Sequence, residues 1–157
     1  MANHYYKTTI TWTGNLGKGT SEYRAYKRSH IISVDGKPEI PGSSDPAFRG
    51  DRTMYNPEEL LLASISSCHM LWFLHLCSES GVVVVGYTDT ATGTMEEISN
   101  GSGRFTEVIL YPKVTVTDQS MIDKANELHH KANELCFIAN SVNFPIYHKP
   151  VCEVTHA

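Results

Sequence analysis

Apolar and polar positions change period several times along the chain, and the changes mark its elements. Tyr5 to Thr13 alternates and is rich in Thr, Ile and Trp, which predicts a strand. Gly14, Gly17 and Gly19 punctuate a turn. Glu22 to Val34 reads as one long strand or a strand pair, and Asp35-Gly36-Lys37-Pro38 turns the chain again. Ile40 to Tyr55 holds Pro41, Gly42, Ser43, Ser44, Pro46 and Gly50, so it predicts a loop. Loops of that length in compact domains are often functional.

The period then switches to that of a helix. Asn56 suits an N-cap, Pro57 suits the first helical position, and Glu58 and Glu59 complement the helix dipole. Glu59 follows Asn56 at capping-box spacing. The predicted helix runs to about Ser80, where Gly81 ends it. Its middle is apolar nearly all round, which predicts burial on most sides. One chain of this size struggles to surround such a helix, whereas a dimer that shares it does so more easily. Leu60 to Cys77 is as long as a minimal membrane span. Ser64, Ser66, Ser67, His69 and His75 interrupt it, so a core helix is the better expectation.

Val82 to Met95 and Arg104 to Val116 are strand-like, with a turn at Gly101-Ser102-Gly103 between them. Asp118 can cap a second helix from about Gln119, in which Ala125, Leu128, Ala132, Leu135 and Ala139 fall at helical spacing. Asn143-Phe144-Pro145 stops it. Ile146 to Thr155 predicts a last strand, kinked or placed at an edge by Pro150. The order of strands, helix, strands, helix and strand, with no repeat and no linker, predicts one α+β domain over residues 1–157.

Composition narrows the functional classes. The chain has 157 residues, 41% hydrophobic and 19% charged, which is globular usage. A net charge of −4 with no basic run argues against a nucleic-acid partner. The N-terminal residues lack the apolar core of a secretory signal, so a cytoplasmic, reducing setting is expected. In that setting Cys68, Cys77, Cys136 and Cys152 are expected as free, catalytic or metal-binding thiols rather than permanent disulfides.

Geometry limits how these thiols can pair. Cys68 and Cys77 share one predicted helix, roughly 13.5 Å apart along its axis and on opposite faces, too far for a disulfide. Cys68 can therefore meet Cys136 or Cys152. The bland alternative is that each cysteine is a small buried hydrophobe. The eight histidines do not announce a metal site. His75 and Cys77 do not share a helical face, and adjacent His129 and His130 diverge. His148 and Cys152 would lie about 13 Å apart on a strand. His69 sits a hundred degrees around the helix from Cys68, which disfavours a Cys–His hydrolase pair.

The run Asn56-Pro57-Glu58-Glu59-Leu60-Leu61-Leu62-Ala63-Ser64-Ile65-Ser66-Ser67-Cys68 resembles the OsmC/Ohr family, the osmotically inducible and organic hydroperoxide resistance proteins. Cys136, 68 residues further on, fits that family's second cysteine. The resemblance implies an α+β fold with antiparallel sheets packed around two long helices in an intertwined homodimer. It implies a thiol-dependent peroxidase with an organic hydroperoxide substrate, a dithiol reductant of the lipoyl type, no cofactor and no membrane. Cys68 would attack the peroxide and Cys136 would resolve the resulting sulfenic acid as a disulfide. An Arg before the helix would stabilise the thiolate, and the first Glu of the helix would hold that Arg. Arg49, with Arg52 as the alternative, and Glu58 take those roles here. The requirement is physical, because a mid-helix thiol gains little from the dipole and needs a cation brought to it. Glu58 and Cys68 are separated by a rise of roughly 15 Å, which implies that Glu58, and Arg49 with it, serve the thiol of a second chain. The family often has Pro after its second cysteine, where this chain has Phe137, and Cys77 and Cys152 are additional. A non-catalytic dimeric binding protein for an apolar small molecule is the alternative reading.

Overall fold

A computed structural model describes residues 1–156, and the chain divides into two compact units, Met1–Leu61 and Leu62–Ala157.

In the first unit, β1 (Thr9–Trp12), β2 (His30–Ser33) and β3 (Ile40–Gly42) form an antiparallel sheet in that order. Ile10 pairs with Ile32, which pairs with Ile40. The strand expected over Glu22 to Val34 is reduced to β2. The reason is local: the Arg28 guanidinium donates to the carbonyls of Tyr26 (2.7 Å) and Tyr23 (2.8 Å), so side chain and backbone bond each other where a ladder would run. The loop expected over 40–55 contains β3 and a 3₁₀ turn at Pro46–Phe48, capped by the Asp45 carboxylate on the Ala47 N–H (2.7 Å).

The long helix α1 (Pro57–Glu79) starts as its sequence predicts. The Glu59 N–H donates to Asn56 Oδ1 (2.8 Å) and the Asn56 N–H donates to Glu59 Oε2 (3.2 Å), a complete capping box. Gly81 at φ 72° terminates it, with the Val82 N–H returning to the Cys77 carbonyl (2.9 Å). Burial differs from expectation. The buried positions are Ile65, His69, Phe73 and Cys77, one stripe at four-residue spacing. Leu71 is 63% exposed, and Trp72, Leu74 and Leu76 are half-buried. The helix is long and apolar enough to cross a membrane by length and composition.

The second unit carries two three-stranded sheets. One orders β4 (Val84–Asp89), β7 (Pro112–Val116) and β9 (Val151–Val154); the other orders β5 (Thr92–Glu97), β6 (Gly103–Leu110) and β8 (Ile146–His148). Antiparallel pairs dominate, but β7–β9 and β6–β8 are parallel. Each long apolar run of the sequence is thus broken into two strands that serve different sheets. Asp89 pins one break, accepting the Tyr111 N–H (2.7 Å) and the Ser66 hydroxyl (2.5 Å). The Lys149 N–H on the Leu110 carbonyl (2.8 Å) pins another, beside Pro150.

The second helix, α2 (Ile122–Leu135), follows a 3₁₀ turn at Gln119–Met121 in which the Ser120 N–H donates to the Asp118 carboxylate. It ends a turn earlier than the apolar spacing predicts. Cys136 is its extended C-cap residue, and Ala139 falls in a separate 3₁₀ turn, Ala139–Ser141. Phe73 and Cys77 from α1, Val114 and Val116 from β7, and Ala125, Leu128 and Ala132 from α2 form the core with Val82. Pro112, Val114 and Val116 are buried while Lys113 between them is exposed, the alternation of a half-buried strand.

Candidate active site

Two thiols from different elements meet in the second unit. Cys68 lies half-buried on α1, and Cys136 lies buried, 1% exposed, where α2 ends. The two thiols lie close enough for Cys68 to act on the Cys136 thiol. Burial, then the neighbouring Cys68 thiol, pushes the Cys136 thiol up to about 11, partly offset by the Ala139 N–H that donates to its sulfur (3.4 Å). All four cysteines are free thiols. The pair is therefore asymmetric: a half-buried cysteine on the helix neighbours a buried, protonated one. Between the two partners that spacing left open for Cys68, the fold brings Cys136 to it. Cys152 instead packs against the apolar core that contains Cys77.

Aromatic side chains flank the thiols. Trp72 stands one helical turn beyond Cys68, and Phe137, next to Cys136, meets its ring edge-on at 5.6 Å. Leu71, Trp72 and His75 line a shallow cavity of about 240 Å³. Ile65 and Phe73 face the core and offer nothing to a ligand.

The structure also gathers residues that the histidine spacings did not suggest. His69 Nε2 lies 3.0 Å from His129 Nδ1, the two rings stack within 4° of parallel, and His148 stacks on His69 at 5.8 Å. His129 lies flat on Phe73 at 4.0 Å. Burial, and the like charge His148 would carry, holds His69 down to about 4. Burial, then its histidine neighbours, holds His129 down to about 3. Both rings are thus neutral at physiological pH and supply no cation. His69 Nδ1, His129 Nε2 and His148 Nδ1 are buried without a hydrogen-bond partner among the described residues. The available signal was periodic: His69 continues the four-residue stripe of Ile65 and Phe73, and His129 sits one turn after Ala125.

Arg49, Arg52 and Glu58 belong to the first unit. Arg49 is exposed, at φ 65°, with its guanidinium 5.9 Å from the Tyr23 ring centroid. Arg52 is exposed on a turn. Glu58 is half-buried, and its Oε2 has no hydrogen-bond partner among the described residues. No ion pair joins either arginine to Glu58 among the described residues of this chain.

An α+β fold with two long helices, each bringing a cysteine to a shared thiol pair, defines the class of protein. The chain belongs to the OsmC-like protein family, whose model matches residues 50–149. It is similar in structure to an OsmC-like protein of unknown function from Vibrio cholerae, at 31% identity and a TM-score of 0.84, covering 96% of this chain and all of that one. It shares its fold with an organic hydroperoxide resistance protein from Elizabethkingia anophelis, at 22% identity and a TM-score of 0.67, covering 99% and 100% of the two chains. It likewise shares its fold with an organic hydroperoxide resistance protein from Legionella pneumophila, at 18% identity and a TM-score of 0.67, covering 98% and 100%. No curated protein matches the sequence.

Proposed function

We propose that the protein is a cytoplasmic, thiol-dependent peroxidase that reduces organic hydroperoxides to alcohols. The Cys68 thiolate attacks the peroxide oxygen that ends as hydroxyl on sulfur, the O–O bond breaks, and the alkoxide takes a proton and leaves as the alcohol. The Cys136 sulfur then displaces hydroxide from the Cys68 sulfenic acid, so water leaves and a Cys68–Cys136 disulfide forms. A dithiol of the lipoyl type returns both cysteines to thiols and is itself oxidised to a cyclic disulfide. No resident cofactor enters the balance.

The observation that carries this reading is the placement of the Cys136 thiol, from the end of α2, beside the Cys68 thiol of α1. The asymmetry of the pair supports the roles: the less buried cysteine meets the peroxide, and the buried one waits for the sulfenic acid. Phe137 does not keep the two thiols apart, although it stands where the family often has Pro.

The cation that the thiolate needs is assigned to Arg49, with Arg52 as the alternative, held by Glu58. Two features support supply from a second chain. Glu58 and Cys68 are separated by roughly 15 Å of helix. The buried Glu58 Oε2 also has no partner within the described chain. In the proposed homodimer, Cys68 and Cys136 come from one subunit and Glu58 with Arg49 from the other. Sharing α1 also covers the apolar residues that one chain leaves exposed.

Hydroperoxide consumption with dihydrolipoamide tests the activity, and disulfide mapping by mass spectrometry after one equivalent of tert-butyl hydroperoxide tests the pairing. A Cys68–Cys136 disulfide with turnover is expected. No thiol loss on adding hydroperoxide would favour a binding protein instead. For the composite site, Cys68→Ser and Glu58→Ala chains refolded together should regain activity that neither has alone. Proven heterodimers without activity would overturn it.

A further inference from the structure

The first unit contains a cavity of about 330 Å³, lined by Lys27, Arg28, Arg49, Ser43 and Asp51 among others. Three cations thus face one carboxylate. None of the three forms an ion pair among the described residues. An excess of positive charge around a concavity focuses field inward and draws in a counter-charge.

Arg28 and Ser43 are held in place at its wall, while Lys27 and Arg49 are exposed. The Arg28 guanidinium sits over the Tyr26 ring at 4.0 Å and the Tyr23 ring at 4.6 Å, and two of its N–H groups bond the carbonyls of those residues. A guanidinium has five N–H donors, so three remain. Arg49 approaches the same Tyr23 ring at 5.9 Å. It is the only non-glycine residue with positive φ among the described residues, a conformation that costs an L-residue energy and tends to collect where function needs it. Gly50 locks the turn that presents Arg49: a Cβ there would stand 1.5 Å from the Ser44 carbonyl oxygen. At the wall of the cavity, Ser43 is 1% exposed, and its Oγ already accepts the Asp51 N–H (3.0 Å). No acceptor takes its hydroxyl proton among the described residues, so that proton is available to a ligand.

We infer that this cavity is an oxyanion-binding site for the carboxylate or phosphate head group of a small ligand. Arg28 supplies planar N–H donors, Lys27 supplies a point charge, and the Ser43 hydroxyl supplies a buried neutral donor. That set matches the lone pairs of either head group. The inference does not depend on peroxidase activity, since Lys27, Arg28 and Ser43 have no role in that reading.

Titration calorimetry on the full chain at constant ionic strength, with inorganic phosphate in one arm and octanoate in the other, tests it. Saturable binding of one anion per chain is expected in at least one arm. Phosphate alone would mark a phosphorylated ligand, octanoate alone an acyl carboxylate, and both a general oxyanion site. Lys27→Gln should weaken binding about five- to tenfold, and Asp51→Asn, which removes the one opposing charge, should tighten it severalfold. Neither variant should change turnover of uncharged tert-butyl hydroperoxide. No saturation in either arm below about 10 mM, or an affinity that ignores both variants, overturns the inference.

Discussion

Cys68–Cys136 and Cys77–Cys152 each associate a thiol of α1 with one from a later element, yet their surroundings differ. Cys68 is half-buried and neighbours Cys136 beside an open aromatic wall of Trp72 and Phe137. Cys77 is sealed in the core among Phe73, Val114 and Val116. Burial, then the charge Cys152 would carry, pushes the Cys77 thiol up to about 12, and burial raises Cys152 as well. Thiolate character and access set sulfur reactivity, so the same residue type on the same helix is a candidate nucleophile at one position and a packing group at the other.

The largest effect expected from this contrast is on activity. Cys68→Ser should abolish hydroperoxide reduction, and Cys136→Ser should give one turnover to a sulfenic acid and then stall, read by single-turnover assay and sulfenic-acid trapping. Cys77→Ser should keep turnover while losing about 1 to 3 kcal/mol of stability, because it buries a hydroxyl in an apolar core. A Cys77→Ser protein that folds but cannot turn over would erase the distinction between the two pairs.

The next effect is on stability and comes from the histidines beside the core. His69 and His129 fold as neutral rings, held at about 4 and about 3, against an ordinary value of 6.5. Because both values are depressed, the folded state is favoured fully above pH 6.5 and loses that advantage as pH falls toward 4 and 3. Between pH 7.5 and 5 the loss is on the order of 2 kcal/mol per ring. Urea denaturation at the two pH values measures it. His129→Phe should flatten the slope, and an unchanged slope would remove these rings from the acid response.

The smallest effect concerns the substrate. A hydroperoxide tail laid on Trp72 and Phe137 gains about 0.8 kcal/mol per buried CH₂, a gain hydrogen peroxide cannot make. The kcat/KM for a long organic hydroperoxide should exceed that for hydrogen peroxide. Trp72→Ala and Phe137→Ala should each lower it about three- to tenfold, chiefly through KM, while hydrogen peroxide turnover holds. Equal losses on both substrates would assign the rings to folding instead.

Local chemistry determined much of this protein by itself. Asn56, Pro57 and Glu59 specify the start of α1, Gly81 its end, and Asp118 the turn into α2, because caps and turns bond within a few residues and carry their instructions in adjacent letters. Helical rise ruled out a Cys68–Cys77 pair, and the motif around Cys68 selected the family. Only the tertiary structure decided the rest. Periodicity could not show that the runs 82–95, 104–116 and 146–155 each split between two sheets, because those breaks are pinned by Asp89 and Lys149 across long separations. Nor could spacing foresee that His69, His129 and His148 stack, or that Arg28 and Arg49 share one cavity. Those groups are distant in sequence, and which of them meet is set by how the sheets and helices pack, a property that no short window of residues contains.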